Sequence, residues 1–411
     1  MKRAWLILTG LIVGIAIGIF VGDRLPLLTK SADVVGTIWL NGLKMTVVPL
    51  VVSLLITGIL QTADAASTGR LATRAILTMI AILWLVTIMS AVVTPALMEF
   101  FPMPAGADTA LQAALGTAPP PENPPPFDQF LKAMVPTNAL NAAANDAILP
   151  LIIFSLALAF AATRLPADKR QIVRQFFEAI AETMVIVIGW VLFLAPLGVF
   201  ALGIVLGITA GATAFTTLLH YVLIVTAIGF IIFLSAYVVA MVGARFGLLA
   251  FAKAAIPAQA VAISTQSSLA SLPAMVKGAR QLGVGTRTPD IVLPLAVAIF
   301  RATSPAMNMA VALYVAHWSG VELSAATIAF GVAVAAITTM GSVSLPGTIS
   351  FIASIAPICL VMGVPIAPLG LLVAIETFPD IMRTLGNVTM NIAVAGTVGR
   401  AEGDIDEGEQ A

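Results

Sequence analysis

The stretch ETFPDIMRTLGNVTMN occupies residues 376–391, near the end of an otherwise oily chain. Within it, Glu376, Asp380, Arg383, Thr384, Asn387 and Asn391 follow one another at offsets of four, three, one, three and four. Those offsets put six polar side chains on one face of a helix and leave apolar residues on most of the rest. Only 10% of the 411 residues are charged, so three ionisable groups within residues 376–383 need a physical reason. In lipid such groups are costly unless they pair or line a watery cavity, which makes an intramembrane carboxylate and guanidinium together a functional site by default. The competing reading is a salt bridge that only staples two helices, but the polar stripe continues for four turns.

Hydrophobic residues make up 60% of the chain and the mean hydropathy is +1.05. The expected class is an all-α polytopic membrane protein, integral to the cell (inner or plasma) membrane and surrounded by the lipid bilayer. Twenty Lys and Arg balance twenty Asp and Glu, which offers no basic field for nucleic acid. Cys359 is the single cysteine, so no internal disulfide forms, and it reads as a small apolar filler. Two histidines, His220 and His317, are too few for a metal or haem site of the usual kind. No metal site and no cofactor are expected. The apolar run 4–21 follows Lys2 and Arg3, is long enough to span, and lacks a convincing cleavage site.

Apolar segments at about 4–22, 35–61, 73–98, 129–162, 176–208 and 217–243 read as six spanning helices. Basic residues cluster on every second connection: Lys2 and Arg3, then Arg70 and Arg74, then Arg164, Lys169, Arg170 and Arg174. This bias puts both termini in the cytoplasm. The acidic connection 99–128 carries APPPENPPP at 118–126 and reads as an external loop of polyproline character. Residues 401–411 form an acidic tail expected to be disordered. Trp5, Trp39, Trp190 and Trp318, near segment ends, read as interfacial anchors.

From about residue 248 the hydrophobic stretches are broken near their middles. STQSS at 264–268 runs on to Ser271, Leu272 and Pro273; TTMGS at 338–342 runs on to Ser344, Leu345, Pro346 and Gly347. Both breaks end in Ser-Leu-Pro, and proline and glycine remove or expose backbone hydrogen-bonding groups. Two re-entrant hairpins are the economical reading, since paired interruptions in a membrane protein point to a transporter's binding site and broken helices offer N–H groups to an anion. The bland alternative is Ser and Thr bonding back to helix carbonyls.

With these pieces in place the chain resembles the glutamate transporter family, the dicarboxylate/amino acid:cation symporters. The matching stretches are KMTVVPL at 44–50, VPTN at 135–138, APLGVF at 195–200, the tip from Ser267 to Pro273, the Pro346–Gly347 tip, and DIMRTLGNVT at 380–389. The resemblance implies eight transmembrane helices plus two re-entrant helical hairpins, an elevator-type transporter fold and a homotrimer. It implies that 1–245 is largely scaffold and trimerisation helices, with the third and sixth spans able to join the moving part, and that 246–400 is the core transport domain. By position, Arg383 binds a substrate side-chain carboxylate, as a guanidinium fork suits an oxygen pair, and Asp380 holds the amino group. Thr384, Asn387, Ser304, Ser267, Ser268, Pro346 and Gly347 complete the implied substrate-binding set, while Gln266 stands where some members carry an arginine.

The family's sodium motif, Asn-Met-Asp-Gly-Thr on its seventh helix, is absent. An ungapped count from Pro273 to Pro346 places FRATS, residues 300–304, there; a gapped count would place MNMAVALY, 307–314, and neither restores the carboxylate. Asn391 stands where sodium-coupled members usually carry aspartate, although Glu376 keeps a carboxylate one turn before Asp380. Hard cations prefer anionic oxygens, so both losses lower sodium affinity. Arg301 either supplies a permanent positive charge in place of a bound cation or pairs with Glu376 or Asp380 for charge balance. Arg301, Glu376 and Asn391 are thus the candidates for coupling or charge compensation.

The expected function is secondary active transport of aspartate, glutamate or a related dicarboxylate by alternating access, with a proton favoured over sodium as coupling cation through Glu376 or Asp380. A C4-dicarboxylate:proton symporter or exchanger is the alternative, and an anion-conducting channel lined by Arg301 and Arg383 is a reading of a different class. An enzyme is not expected, because no motif marks either histidine as partner to a nucleophilic serine.

Overall fold

A computed structural model of the chain describes residues 2–21, 26–66, 69–104, 135–145, 147–341 and 347–405. Seventeen helices carry most of these residues, and the only other regular pairing among them is an isolated antiparallel bridge between Val284 and Ile405. In chain order the helices are α1 (Lys2–Val21), α2 (Pro26–Lys44), α3 (Val47–Ala66), α4 (Arg70–Phe100), α5 (Ala139–Ala144), α6 (Ile148–Ala162), α7 (Ala167–Phe193), α8 (Ala195–Ala210) and α9 (Thr213–Val242). They continue as α10 (Leu248–Thr265), α11 (Leu272–Gln281), α12 (Arg287–Ile299), α13 (Thr303–Trp318), α14 (Ala325–Gly341), α15 (Gly347–Val361), α16 (Pro368–Leu372) and α17 (Thr377–Glu402). Six stretches among the described residues are long and apolar enough to cross a membrane, so the polytopic all-helical class expected from composition is found. The proline-rich connection expected at 118–126 lies outside the described residues.

Prolines decide where expected spans divide. A proline ring clashes with the carbonyl four residues back and supplies no N–H. Pro49 bears on Met45, where α2 and α3 part at a turn; Pro196 bears on Leu192, beside the junction of α7 and α8 at Leu194; Pro305 bears on Arg301, in the break between α12 and α13. The spans read as continuous at 35–61 and 176–208 are therefore each two helices. Pro379 acts likewise on Ile375, so α17 starts at Thr377 with Glu376 as its N-cap; Glu376 keeps helical dihedral angles and its carbonyl accepts from the Asp380 N–H at 2.9 Å, so it stays on the face assigned to it from spacing.

Both breaks fold back as hairpins. A Cβ added at Gly278 of α11 would lie 2.5 Å from the Ala254 carbonyl of α10, and those two residues are equidistant from Gln266 at the tip. Gly331 of α14 lies against Met362, just past α15, and the midpoint of that pair falls at the second tip. Thr338 and Thr339 are inside α14, bonded to the Val334 and Ala335 carbonyls at 2.7 and 2.8 Å, so that part of the second break obeys the bland reading. Pro346 lies outside the described residues and Gly347 begins α15.

The glycines of α1 let it approach α8 backbone to backbone. A Cβ at Gly14 would strike the Phe200 carbonyl, one at Gly18 the Ile204 carbonyl, and one at Gly207 the Ile15 carbonyl; small residues at this spacing are how apolar helices associate in lipid. At the other extreme of the chain, α13 is buried along nearly its whole length and α17 from Pro379 to Gly399, with α4, α9, α10, α11 and α12 around them. These two central helices carry the polar residues. Trp39 and Trp318 are buried rather than interfacial, Trp39 donating to the Val191 carbonyl at 2.9 Å, whereas Trp190 is exposed.

The acidic tail is ordered further than its composition implied. Arg74 of α4 reaches Glu402 at 2.6 Å, Arg400 donates to the Ala244 carbonyl at 2.6 Å, and Asp404 accepts from the Thr288 N–H at 3.0 Å and its hydroxyl at 2.6 Å. A carboxylate on the first N–H groups of α12 satisfies donors that the helix itself cannot. The start of α4 and the end of α17 consequently lie on one face of the bundle.

Candidate functional site

Four charged side chains from the polar stripe and the α12–α13 break meet between the two central helices. Arg383 donates from Nη2 to Glu376 Oε1 at 2.5 Å and from Nη1 to Asn308 Oδ1 at 3.2 Å, and its Nε lies 3.8 Å from Asp380 Oδ1. Arg301 interacts electrostatically with both Asp380 and Arg383. Glu376, Asp380 and Arg383 are all at most 6% exposed. Two carboxylates and two guanidiniums sum to zero formal charge, the condition under which buried ions are tolerated.

Of the two carboxylates, Glu376 is held by Arg383, and Arg301 is felt electrostatically by Asp380. The other Glu376 oxygen, Oε2, accepts from the Tyr221 hydroxyl of α9 at 3.4 Å. Arg383 is therefore not an open fork: an internal carboxylate already occupies one of its terminal nitrogens and an amide the other. The buried Nε makes no hydrogen bond.

Asn387 and Thr384 turn inward to the protein. The Asn387 Oδ1 accepts from the Thr303 N–H at 2.8 Å, which caps the buried start of α13. The Thr303 hydroxyl lies 2.6 Å from the Arg383 carbonyl and also against Asn387 Oδ1, and Gly386 leaves just enough room for its methyl. Thr384 bonds back to the Asp380 carbonyl at 3.0 Å, the local habit of threonine in helices. Ser304, 7% exposed, stands beside Thr303 at the head of α13.

The first hairpin meets α17 one turn beyond this cluster. Gln259 bridges the Tyr237 hydroxyl and Thr389 Oγ1, both at 3.1 Å, and Asn391 points its amide at Met275 Sδ, 3.8 Å away, while its buried Oδ1 has no partner. At the tip, Gln266 adopts φ 52, a left-handed conformation that costs a non-glycine residue. The Ser267 hydroxyl accepts from the Ala270 N–H at 3.2 Å and its carbonyl accepts from Ser271, so both serve the turn. Ser267 and Ser268 are half-buried, and among the described residues no hydrogen bond joins either to Asp380 or Arg383. The structure thus unites Arg301, Glu376, Asp380, Arg383 and Asn387, and keeps Asn391 and the tip serines apart from them.

Three contributors escaped sequence reasoning. Asn308, 1% exposed, steadies Arg383; Thr303 links the two central helices; Tyr221 touches Glu376. Asn308 carried a signal, being an amide within the apolar run 305–313, and Pro305 marked the break that sets Thr303 at a helix start.

Comparison with known proteins finds relatives among symporters and dicarboxylate transport proteins. The chain is 26% identical to the proton/glutamate-aspartate symporter of Escherichia coli (strain K12), over 98% of this chain and 93% of that protein. It is 27% identical to the proton/sodium-glutamate symport protein of Bacillus caldotenax, over 98% and 95%. C4-dicarboxylate transport protein 1 of Pseudomonas aeruginosa (strain UCBPP-PA14) is 25% identical, over 96% and 88%. With residues 4–401 matching its model, the chain belongs to the sodium:dicarboxylate symporter family.

Proposed function

We propose that this protein is a proton-coupled secondary carrier of acidic amino acids, aspartate or glutamate, working by alternating access in the cell membrane with both termini cytoplasmic. The observation that carries the reading is the occupied guanidinium: Arg383 already holds the Glu376 carboxylate at 2.5 Å inside a buried cluster of zero net charge. A substrate carboxylate that takes Arg383 must displace Glu376. An acidic amino acid brings one net negative charge, and a proton on the displaced Glu376 restores neutrality. Leaving that charge unbalanced in low dielectric would cost several kcal/mol, so one proton accompanies one substrate.

Arg301 is proposed to stand in for a bound cation, fixing beside Asp380 a positive charge that never dissociates. Its place in the α12–α13 break supports this, as does the lack of a carboxylate in residues 300–304. Ser267, Ser268, Pro346 and Gly347 close over substrate when the hairpins move; Ser304, Thr384 and Asn387 are the polar floor. α4 and α9 lie against α13 and α17, which supports assigning them to a moving part that slides, elevator-fashion, within a homotrimeric scaffold.

A second reading has its own support. Asp380 faces both Arg383 and Arg301, and a carboxylate shared between two guanidiniums has little left for a substrate ammonium, which favours a plain C4-dicarboxylate. Uptake of labelled aspartate, glutamate and succinate into proteoliposomes under separate proton and sodium gradients decides between them. Proton-driven aspartate or glutamate uptake is expected; succinate alone selects the second reading, stimulation by sodium alone refutes the coupling, and a saturation-free current marks a channel.

A further inference from the structure

His220 and Tyr221 are neighbours on α9, yet only Tyr221 touches the buried carboxylate. The His220 ring is half-buried and its two nitrogens meet different elements. Nε2 lies 2.7 Å from the Phe101 carbonyl past the end of α4, and Nδ1 lies 3.0 Å from the Tyr314 hydroxyl of α13. A carbonyl only accepts, so Nε2 carries a hydrogen in either charge state. The Tyr314 hydroxyl has a second partner, the Thr217 carbonyl at 3.1 Å.

This arrangement has two settings. With a neutral ring, Tyr314 donates to Nδ1. With a second proton, taken from water at the half-exposed ring, Nδ1–H donates to Tyr314, and Tyr314 turns its hydrogen to the Thr217 carbonyl. In the second setting both N–H groups of the imidazolium and the tyrosine hydroxyl all have acceptors. No bond other than the new N–H forms or breaks.

From Tyr314 the contact leads inward. Its ring meets that of Tyr221 edge to face, 5.3 Å between centroids at 77°, and the Tyr221 hydroxyl donates to Glu376 Oε2. The groups facing Glu376 are Arg383 and Asp380 of α17 and Tyr221 of α9, with Arg301 acting on Asp380 and Arg383. Facing His220 is Tyr314, and no carboxylate or cation among the described residues hydrogen-bonds or ion-pairs with the ring.

We propose that His220 is a proton-binding site linked through Tyr314 and Tyr221 to the Glu376–Arg383 pair, so that a proton taken up beside Phe101 weakens the hold of Glu376 on Arg383. A second cation near an ion pair competes for its anion, and the competition releases the guanidinium for substrate. The inference deepens the proposed proton-coupled transport and rests on it for the last step only.

With two histidines in the chain, isotope-labelled histidine and the variant H317Q isolate the His220 ring signal by NMR in nanodiscs. Linkage is reciprocal, so E376Q is expected to move the His220 titration midpoint by about half a pH unit or more. A midpoint indifferent to E376Q, or a ring that does not titrate between about pH 5 and 8, overturns the inference. In proteoliposomes, aspartate uptake is expected to fall as pH rises and to fall less steeply in H220Q, whose amide keeps a donor and an acceptor, while the part of the slope set by Glu376 itself remains. A wild-type profile in H220Q also overturns it. Wild-type liposomes that move no acidic substrate refute the transport reading instead, and the NMR titration still decides the linkage.

Discussion

Replacing Glu376 by glutamine tests the occupied guanidinium directly. The wild-type contact, Arg383 Nη2 to Glu376 Oε1 at 2.5 Å, is a charge-assisted hydrogen bond of the kind that contributes about 1.5–3 kcal/mol net. A substrate must overcome that interaction before its own carboxylate can bind. In E376Q the competitor is a neutral amide of the same shape, so binding of aspartate near neutral pH is expected to tighten by about 10- to 100-fold. The same change removes the proton acceptor. Wild-type binding takes up a proton, and its affinity therefore rises as pH falls; in E376Q that slope disappears. Without substrate the variant is destabilised, though by less than the roughly 3–5 kcal/mol of an orphaned buried charge, because Asn308 at 3.2 Å and Asp380 at 3.8 Å stay with Arg383. Calorimetric titration of the purified protein over a pH series reads affinity and slope together, with thermal unfolding for stability. A fall in affinity matching that of R383A, or a pH slope like that of the wild type, would refute the displacement argument.

In R301A, aspartate uptake is expected either to become sodium-stimulated or to lose substrate affinity at least about tenfold, since a compensating charge worth more than about 1.4 kcal/mol has gone; unchanged uptake in both salts rejects the role. T303V loses the hydroxyl that joins the Arg383 carbonyl to α13 and should cost about 1–3 kcal/mol, read as a lower midpoint of thermal unfolding, with an unaltered midpoint counting against it. Q266G should raise that midpoint slightly, by the roughly 1 kcal/mol that a left-handed non-glycine residue costs, while G207V, forced against the Ile15 carbonyl, should lower the yield of folded protein.

Much of this was legible in the sequence because lipid leaves few choices. The Asp380–Arg383 stripe stood out against apolar surroundings, and the prolines and glycines of the hairpin tips announced backbone that a plain helix cannot satisfy. What stayed hidden is partner choice. Spacing put Glu376, Asp380 and Arg383 on one face, but nothing in a one-dimensional pattern tells a guanidinium which carboxylate to take, and Arg383 takes the one seven residues back rather than the one three residues back. Thr303 and Tyr221 were illegible for the same reason: each matters through a contact more than 80 or 150 residues away, respectively. Trp39 and Trp318 misled because burial by protein and burial at an interface look alike in composition.

The strap at the end of α17 bears on how the molecule is made. Asp404 closes the start of α12, and Glu402 and Arg400 tie down Arg74 and the Ala244 carbonyl. All three of these anchors come after every described span in the order of synthesis. Until the ribosome has finished residue 404, the Thr288 N–H and the Arg74 guanidinium lack the partners they hold in the finished fold, although their helices were inserted long before. Completion of the half that bears the charged cluster therefore waits until every described span has been made, and a truncation just before Arg400 would leave those spans present and the bundle unfastened.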